Sequence, residues 1–115
     1  MSAGKFNILI EQGATFSLPI TYEDSTGAAV DLTTYTARLQ ARKRASSPAT
    51  IVEMTTENGR ITLGGTDGTI DLYMLAADTA LLQAGEFFYD LELVSGGSVT
   101  RLLEGQLTVK PEVTR

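Results

Sequence analysis

Apolar side chains return at every second position through most of this chain, the period of a pleated strand with one face turned to a core. The clearest stretch spans residues 85–109. Phe87, Tyr89, Leu91 and Leu93 alternate with other residues, Ser95-Gly96-Gly97-Ser98 turns, and residues 99–109 alternate back. This pattern predicts a β-hairpin, with the Gly-Gly pair supplying the positive φ angles of a tight turn. Upstream, Phe6, Ile8 and Ile10 form a first alternating run, and Phe16, Leu18, Ile20 and Tyr22 form a second. Pro19 has no amide to donate to a ladder, which places the second run at a sheet edge or a bulge. Tyr35, Ala37, Leu39 and Ala41 predict another strand, followed by β-rich residues 51–55, by 61–63, and by Ile70, Leu72 and Met74. Turn-forming clusters punctuate these runs: Asp24-Ser25-Thr26-Gly27, Ser46-Ser47-Pro48, Glu57-Asn58-Gly59-Arg60 and Gly64-Gly65-Thr66-Asp67-Gly68.

Residues 75–82 alone break the β pattern. Ala76, Ala77, Ala80, Leu81 and Leu82 favour helix, Asp78 and Thr79 suit a first turn, and Gly85 suits a stop. One or two helical turns crossing from one sheet to the other are expected here. The fold class that follows is all-β: an antiparallel sandwich of about seven to nine strands in two sheets with one short helical crossover. Leu32, Tyr35, Ala37 and Leu39 are expected to face Ile70, Leu72, Phe87, Tyr89, Leu91 and Leu103 in its core. Each large apolar side chain fully buried there contributes roughly 1.5–3 kcal/mol. Gly105 interrupts the last run between Leu103 and Leu107, which predicts a bulge or bend.

A chain of 115 residues with 43% apolar and 20% charged residues has the material for one core and lies far from the composition of disordered chains. The expected organisation is a single sandwich over residues 1–110 and a short tail over 111–115. No cysteine and no histidine are present, which removes disulfides, thiolate nucleophiles, the commonest metal ligand and the commonest general base. Met1-Ser2-Ala3-Gly4-Lys5 lacks the apolar stretch of a signal peptide, and no run approaches the ~20 apolar residues that span a bilayer. Neither a secretory route of that kind nor a membrane partner is expected.

Net charge is −5, from 14 acidic and 9 basic residues, which disfavours general nucleic-acid binding because phosphates repel an acidic surface. The charge is uneven. Arg38, Arg42, Lys43 and Arg44 gather four of the nine cations, with Arg38 and Arg42 expected on the solvent face of one strand beside Gln40. The favoured account is a solvated strand face and exit that keeps the sheet soluble and discourages edge pairing; the alternative is a contact surface for a protein partner. Phe88 is the one large apolar residue among the outward positions Glu86, Asp90 and Glu92. It either lies beneath a loop or the chain's own N-terminal strand, coverage by the strand being the favoured expectation, or anchors a partner. These five residues are the candidate interface.

Catalytic and metal-binding readings have thin support. Asp90 and Glu92 project from one strand face, the start of a glycosidase pair or a cation site, yet such pairs also arise on any half-exposed strand, and no third ligand is spaced to match. Asp67-Gly68-Thr69-Ile70-Asp71 lacks the dense oxygen ligands of a calcium loop, and GxSxG, SxxK and phosphate-cradling motifs are missing. No enzyme activity, cofactor, catalytic residue or metal site is expected.

The spacing Leu81-x-x-x-Gly85-x-Phe87-x-Tyr89 resembles the corner that introduces the sixth strand of immunoglobulin-like sandwiches, with Phe87 where a tyrosine is frequent and Tyr89 where antibody domains keep a cysteine. A wider resemblance runs through Asp31-Leu32-Thr33-Thr34-Tyr35-Thr36-Ala37-Arg38-Leu39-Gln40-Ala41-Arg42, Gly68-Thr69-Ile70-Asp71-Leu72, Gly85-Glu86-Phe87-Phe88-Tyr89-Asp90-Leu91-Glu92-Leu93 and Val99-Thr100-Arg101-Leu102-Leu103-Glu104-Gly105. These blocks are similar to small immunoglobulin-like structural proteins of tailed phages and prophages, including the N-terminal module of siphophage baseplate upper proteins. The resemblance implies a virion protein, made in the bacterial cytoplasm, that acts as an adaptor or attachment module in the tail or baseplate. Its implied partners are other phage structural proteins and further copies of itself. Capsid decoration or head-fibre anchoring is the alternative, and a carbohydrate-binding attachment module a lower one. No ligand residue is carried over.

Overall fold

The longest ladder joins β8 (Gly85–Ser95) to β9 (Ser98–Lys110), the hairpin expected from the alternation. The computed structural model describes residues 4–114. At the hairpin tip Ser95 pairs with Ser98, and of the two glycines between them only Gly96 takes a positive φ, 56°. The predicted pair of positive angles is therefore one. A positive φ at the first central position alone is the pattern of a type II′ turn, which follows the right-handed twist of the strands.

The other elements are β1 (Gly4–Lys5), β2 (Ile8–Glu11), β3 (Phe16–Thr21), β4 (Thr36–Arg42), β5 (Val52–Thr55), β6 (Ile61–Leu63), a 3-10 turn (Gly65–Asp67), β7 (Thr69–Met74) and α1 (Ala76–Thr79). One sheet runs β1-β9-β8-β4-β5 with β2 also on β9; the other runs β3-β7-β6. Ile10, Leu39, Met54, Ile70, Leu72, Leu91, Leu93 and Leu107 are completely buried between them. Of the expected core, Tyr35 and Leu103 are only half-buried. The helix is one turn, linking β7 of one sheet to β8 of the other as expected. Thr79 at its end is fully buried, and its hydroxyl donates to the Ala14 carbonyl at 2.8 Å, tying the crossover to the β2–β3 loop. Pro19 sits where the sequence placed it, on the edge strand β3. The Tyr22 amide donates to Gly68 at 2.8 Å, so even-numbered backbone groups turn toward β7 and the amide-free nitrogen of Pro19 faces outward at no cost to the ladder.

Three features depart from the sequence reading. β1 and β2 pair with β9 in parallel, so the first sheet is not purely antiparallel. The bulge lies at Leu102, not Gly105: Leu91 pairs with Leu103 and Glu92 with Arg101, while Gly105 stays in register opposite Tyr89. The extra residue reverses the parity of the strand, turning Val99 and Arg101 outward although they share odd numbering with the inward Leu103, Leu107 and Val109. Finally, Phe6 does not continue the inward run of Ile8 and Ile10 but is 43% exposed, because the first strand breaks into β1 and β2 at this residue.

That break has a local cause. A Cβ on Gly105 would stand 2.4 Å from the Phe6 carbonyl oxygen, so the missing side chain is the space into which the N-terminal strand turns. The Tyr89 hydroxyl donates to the same oxygen at 2.5 Å, and burial pushes the phenol up to about 12. A raised pKa means that this contribution is complete below pH 10 and is lost as pH rises toward 12. Tyr89→Phe is expected to lower the unfolding free energy by about 1–2 kcal/mol at neutral pH, since it leaves a partly buried acceptor unpaired. Paired chemical denaturation series from pH 8 to 12 check this, the gap between wild type and variant narrowing above pH 10.

Candidate partner-docking surface

The outer face of the larger sheet is a set of cross-strand rows fixed by the strand register. Arg38, Glu92 and Arg101 form one row; Gln40, Asp90 and Glu104 form the next, with Lys5 at its edge; Arg42, Phe88 and Gln106 form a third. On β8, Phe88, Asp90 and Glu92 are outward because their strand neighbours are committed to the core. Glu92, for instance, stands between the fully buried Leu91 and Leu93.

The first two rows neutralise themselves. Arg38 Nε lies 2.9 Å from a Glu92 oxygen, and Arg101 spans Asp90 at 3.3 Å and Glu92 at 3.2 Å. Lys5 pairs with Glu104, and that hydrogen bond holds the Glu104 carboxyl below its ordinary range. Asp90 is shifted the other way. Partial burial, followed by the charge of Glu92, raises its pKa, and these outweigh Arg101, whose guanidinium is shared between two acids. Carboxylates engaged in this way are occupied acceptors. The described residues contain no group of three or more acidic side chains placed to hold a metal ion.

The third row differs in kind. Phe88 is 52% exposed and, with Arg42, Arg44 and Gln106, lines a concavity of about 760 Å³ whose lining also takes in the paired charges Lys5, Asp90, Glu92, Arg101 and Glu104. The expected cover from the N-terminal strand is not there: β1 and β2 lie beside β9 in the plane of the sheet, not over β8. Arg42 donates to the Ser47 and Pro48 carbonyls at 2.9 and 2.8 Å and to the Gln40 amide oxygen at 2.7 Å, so it braces the β4–β5 loop against the sheet. Arg44 follows on that loop, exposed at the rim. Among the described residues no acid pairs with Arg42, Lys43 or Arg44.

The structure thus gathers Arg42, Arg44 and Phe88 but separates the other two predicted interface residues from them. Arg38 is absorbed into the ion pair with Glu92, and Lys43, exposed where β4 ends, does not line the concavity. Sequence reasoning overlooked exposed Leu9, at 54%, and Tyr73, at 43%. Their parity was the available signal, since each falls between inward residues of its strand.

No protein-family model and no curated protein sequence matches the chain. Among solved structures it is similar to a chicken TCR, with a TM-score of 0.55 at 14% sequence identity over 94% of this chain. The match covers 54% of that chain, so this protein spans about half its length. A likeness at this identity concerns the fold, and with the two-sheet arrangement it defines the class as an immunoglobulin-like β-sandwich.

Proposed function

We propose that the chain is a non-enzymatic structural component of a phage virion, an adaptor in the tail or baseplate that attaches other virion proteins through the Phe88 concavity. The observation that carries this reading is an exposed aromatic on a rigid sheet beside guanidinium groups that have no acidic partner among the described residues. Aromatic and arginine side chains in a concavity are the groups that dominate protein interfaces, and Arg42 and Arg44, the cations of an otherwise charge-paired lining that meet no acid, favour a partner that sets an acidic group beside an apolar anchor. The scaffold resemblance of the strand and turn blocks supplies the virion setting. The Asp90 and Glu92 carboxylates, which project from one strand face, are held in ion pairs with Arg38 and Arg101.

Phe88→Ala is expected to lower incorporation of the protein into purified virions at least about tenfold, the loss of a central anchor, while leaving its thermal unfolding unchanged. Quantitative mass spectrometry of particles measures the first and calorimetry the second. Electron microscopy of labelled particles should place the protein at the tail end. A label on the capsid would move the assignment to head decoration or fibre anchoring, and absence of the wild-type protein from particles would overturn the proposal.

A further inference from the structure

The edges of the two sheets are treated unequally. On β5 the Glu53 carbonyl accepts from Asn58 Nδ2 at 3.2 Å and from Arg60 at 3.0 Å, and the Thr55 amide donates to Asn58 Oδ1 at 3.0 Å, so side chains cap that edge. β3 carries Pro19 on its outward positions, and β6 is only three residues long. These are the devices by which sheets avoid pairing with other chains. β2 (four residues) has neither a proline nor side chains capping its outward backbone.

Its backbone is oriented for pairing. The Phe6 and Gln12 amides donate to the Glu104 and Lys110 carbonyls of β9, both at 3.0 Å, which turns even-numbered groups inward along this stretch and leaves those of Asn7 and Leu9 and the Glu11 amide directed away from the sheet, while the Glu11 carbonyl accepts from the Ala14 amide at 3.1 Å and keeps its second lone pair. Beyond them lies an open groove of about 280 Å³ that separates β2 from the edge of β3. Leu9 is 54% exposed and Phe6 43% exposed on the same edge.

We infer that β2 is a self-pairing edge: two copies of the chain join β2 to β2 antiparallel about a two-fold axis through Leu9, making one continuous sheet across the dimer. The sequence is self-complementary in that register. Leu9 meets Leu9 of the second copy on the outer face and covers apolar surface that each monomer leaves in water, while their amides and carbonyls exchange hydrogen bonds. Asn7 falls opposite Glu11. Asn7 Oδ1 already accepts from the Gln106 amide at 3.1 Å, which leaves its NH2 group to donate to the Glu11 carboxylate, a group with no ion pair among the described residues. Symmetry repeats the contact on the other side of the axis. This inference does not depend on the Phe88 surface, which lies on a face, not an edge, of the same sheet.

Sedimentation equilibrium of the full chain from micromolar to millimolar concentration tests it. The expected result is a reversible shift from the mass of one chain to that of two, abolished by Leu9→Pro, which removes an outward amide without touching the β9 ladder, and by Leu9→Lys, which sets like charges across the axis. Circular dichroism verifies that both variants remain folded. Hydrogen exchange on the wild-type chain gives a second reading independent of any variant: the Asn7, Leu9 and Glu11 amides gain protection as concentration rises, while those at the β5 edge do not. A chain that stays monomeric throughout, or a dimer that survives both substitutions with these amides unprotected, overturns the inference.

Discussion

Leu91→Ala lowers the unfolding free energy by about 2–5 kcal/mol, the range for truncating a buried leucine. Leu91 is wholly shielded from solvent and occupies the middle of β8, where it pairs with Leu39 of β4 on one side and Leu103 of β9 on the other. Both neighbours are held by their own ladders, so the sheet cannot collapse into the space and the cavity term adds to the lost transfer energy. Against a total stability of about 5–15 kcal/mol the change is large. No disulfide can compensate, because the chain has no cysteine. Urea denaturation should show a lower midpoint with an unchanged slope, indicating a weakened core in an unaltered fold. Leu81→Ala provides the contrast: at 84% exposure that leucine should shift stability by less than about 0.5 kcal/mol. A loss at Leu91 below about 1 kcal/mol would mean that the interior is not packed as described.

The burial of Leu91 was legible in the sequence, because parity within a strand decides which side chains enter the core; Leu81 lies outside any strand and its exposure was not. Period-two alternation located both long strands, its interruption located the crossover helix, and the missing amide of Pro19 pointed to an edge position. Parity failed where the backbone departs from a regular strand. The bulge at Leu102 reverses the faces of β9, and Arg101 was its sequence-level trace: an arginine at a parity otherwise held by Leu103, Leu107 and Val109. Phe6 failed for a different reason, since its orientation is set by Gly105, almost a hundred residues later, and no local pattern records such a contact. The candidate interface was half visible. Four clustered cations could be read directly, but which of them meets an acid depends on the β4–β8–β9 register, which pairs Arg38 with Glu92 and leaves Arg42 and Arg44 beside Phe88.

Gly105→Ala sets propensity against packing, and packing is expected to win. In an unconstrained strand alanine would be favoured over glycine by about 0.5–1 kcal/mol, through the smaller conformational freedom lost on folding. Here the added methyl would lie 2.4 Å from the Phe6 carbonyl oxygen and 3.0 Å from its carbon, and backbone cannot rotate aside as a flexible side chain can. The N-terminal strand must move, which removes the Tyr89 hydrogen bond to Phe6 and disturbs the Asn7 contact with the Gln106 amide. A net destabilisation of about 2–3 kcal/mol is expected, within the range for overpacked interiors. The damage should be local, with hydrogen exchange accelerating first in β1, β2 and the facing part of β9 while β4 and the upper part of β8 retain their protection. Gly97→Ala supplies the opposite case, because nothing lies within 4 Å of the Cβ it would introduce and that glycine does not need a positive φ. It should be neutral or slightly stabilising. If Gly105→Ala behaved the same way, the close approach of Phe6 to β9, and with it the outward setting of the β2 edge, would be wrong.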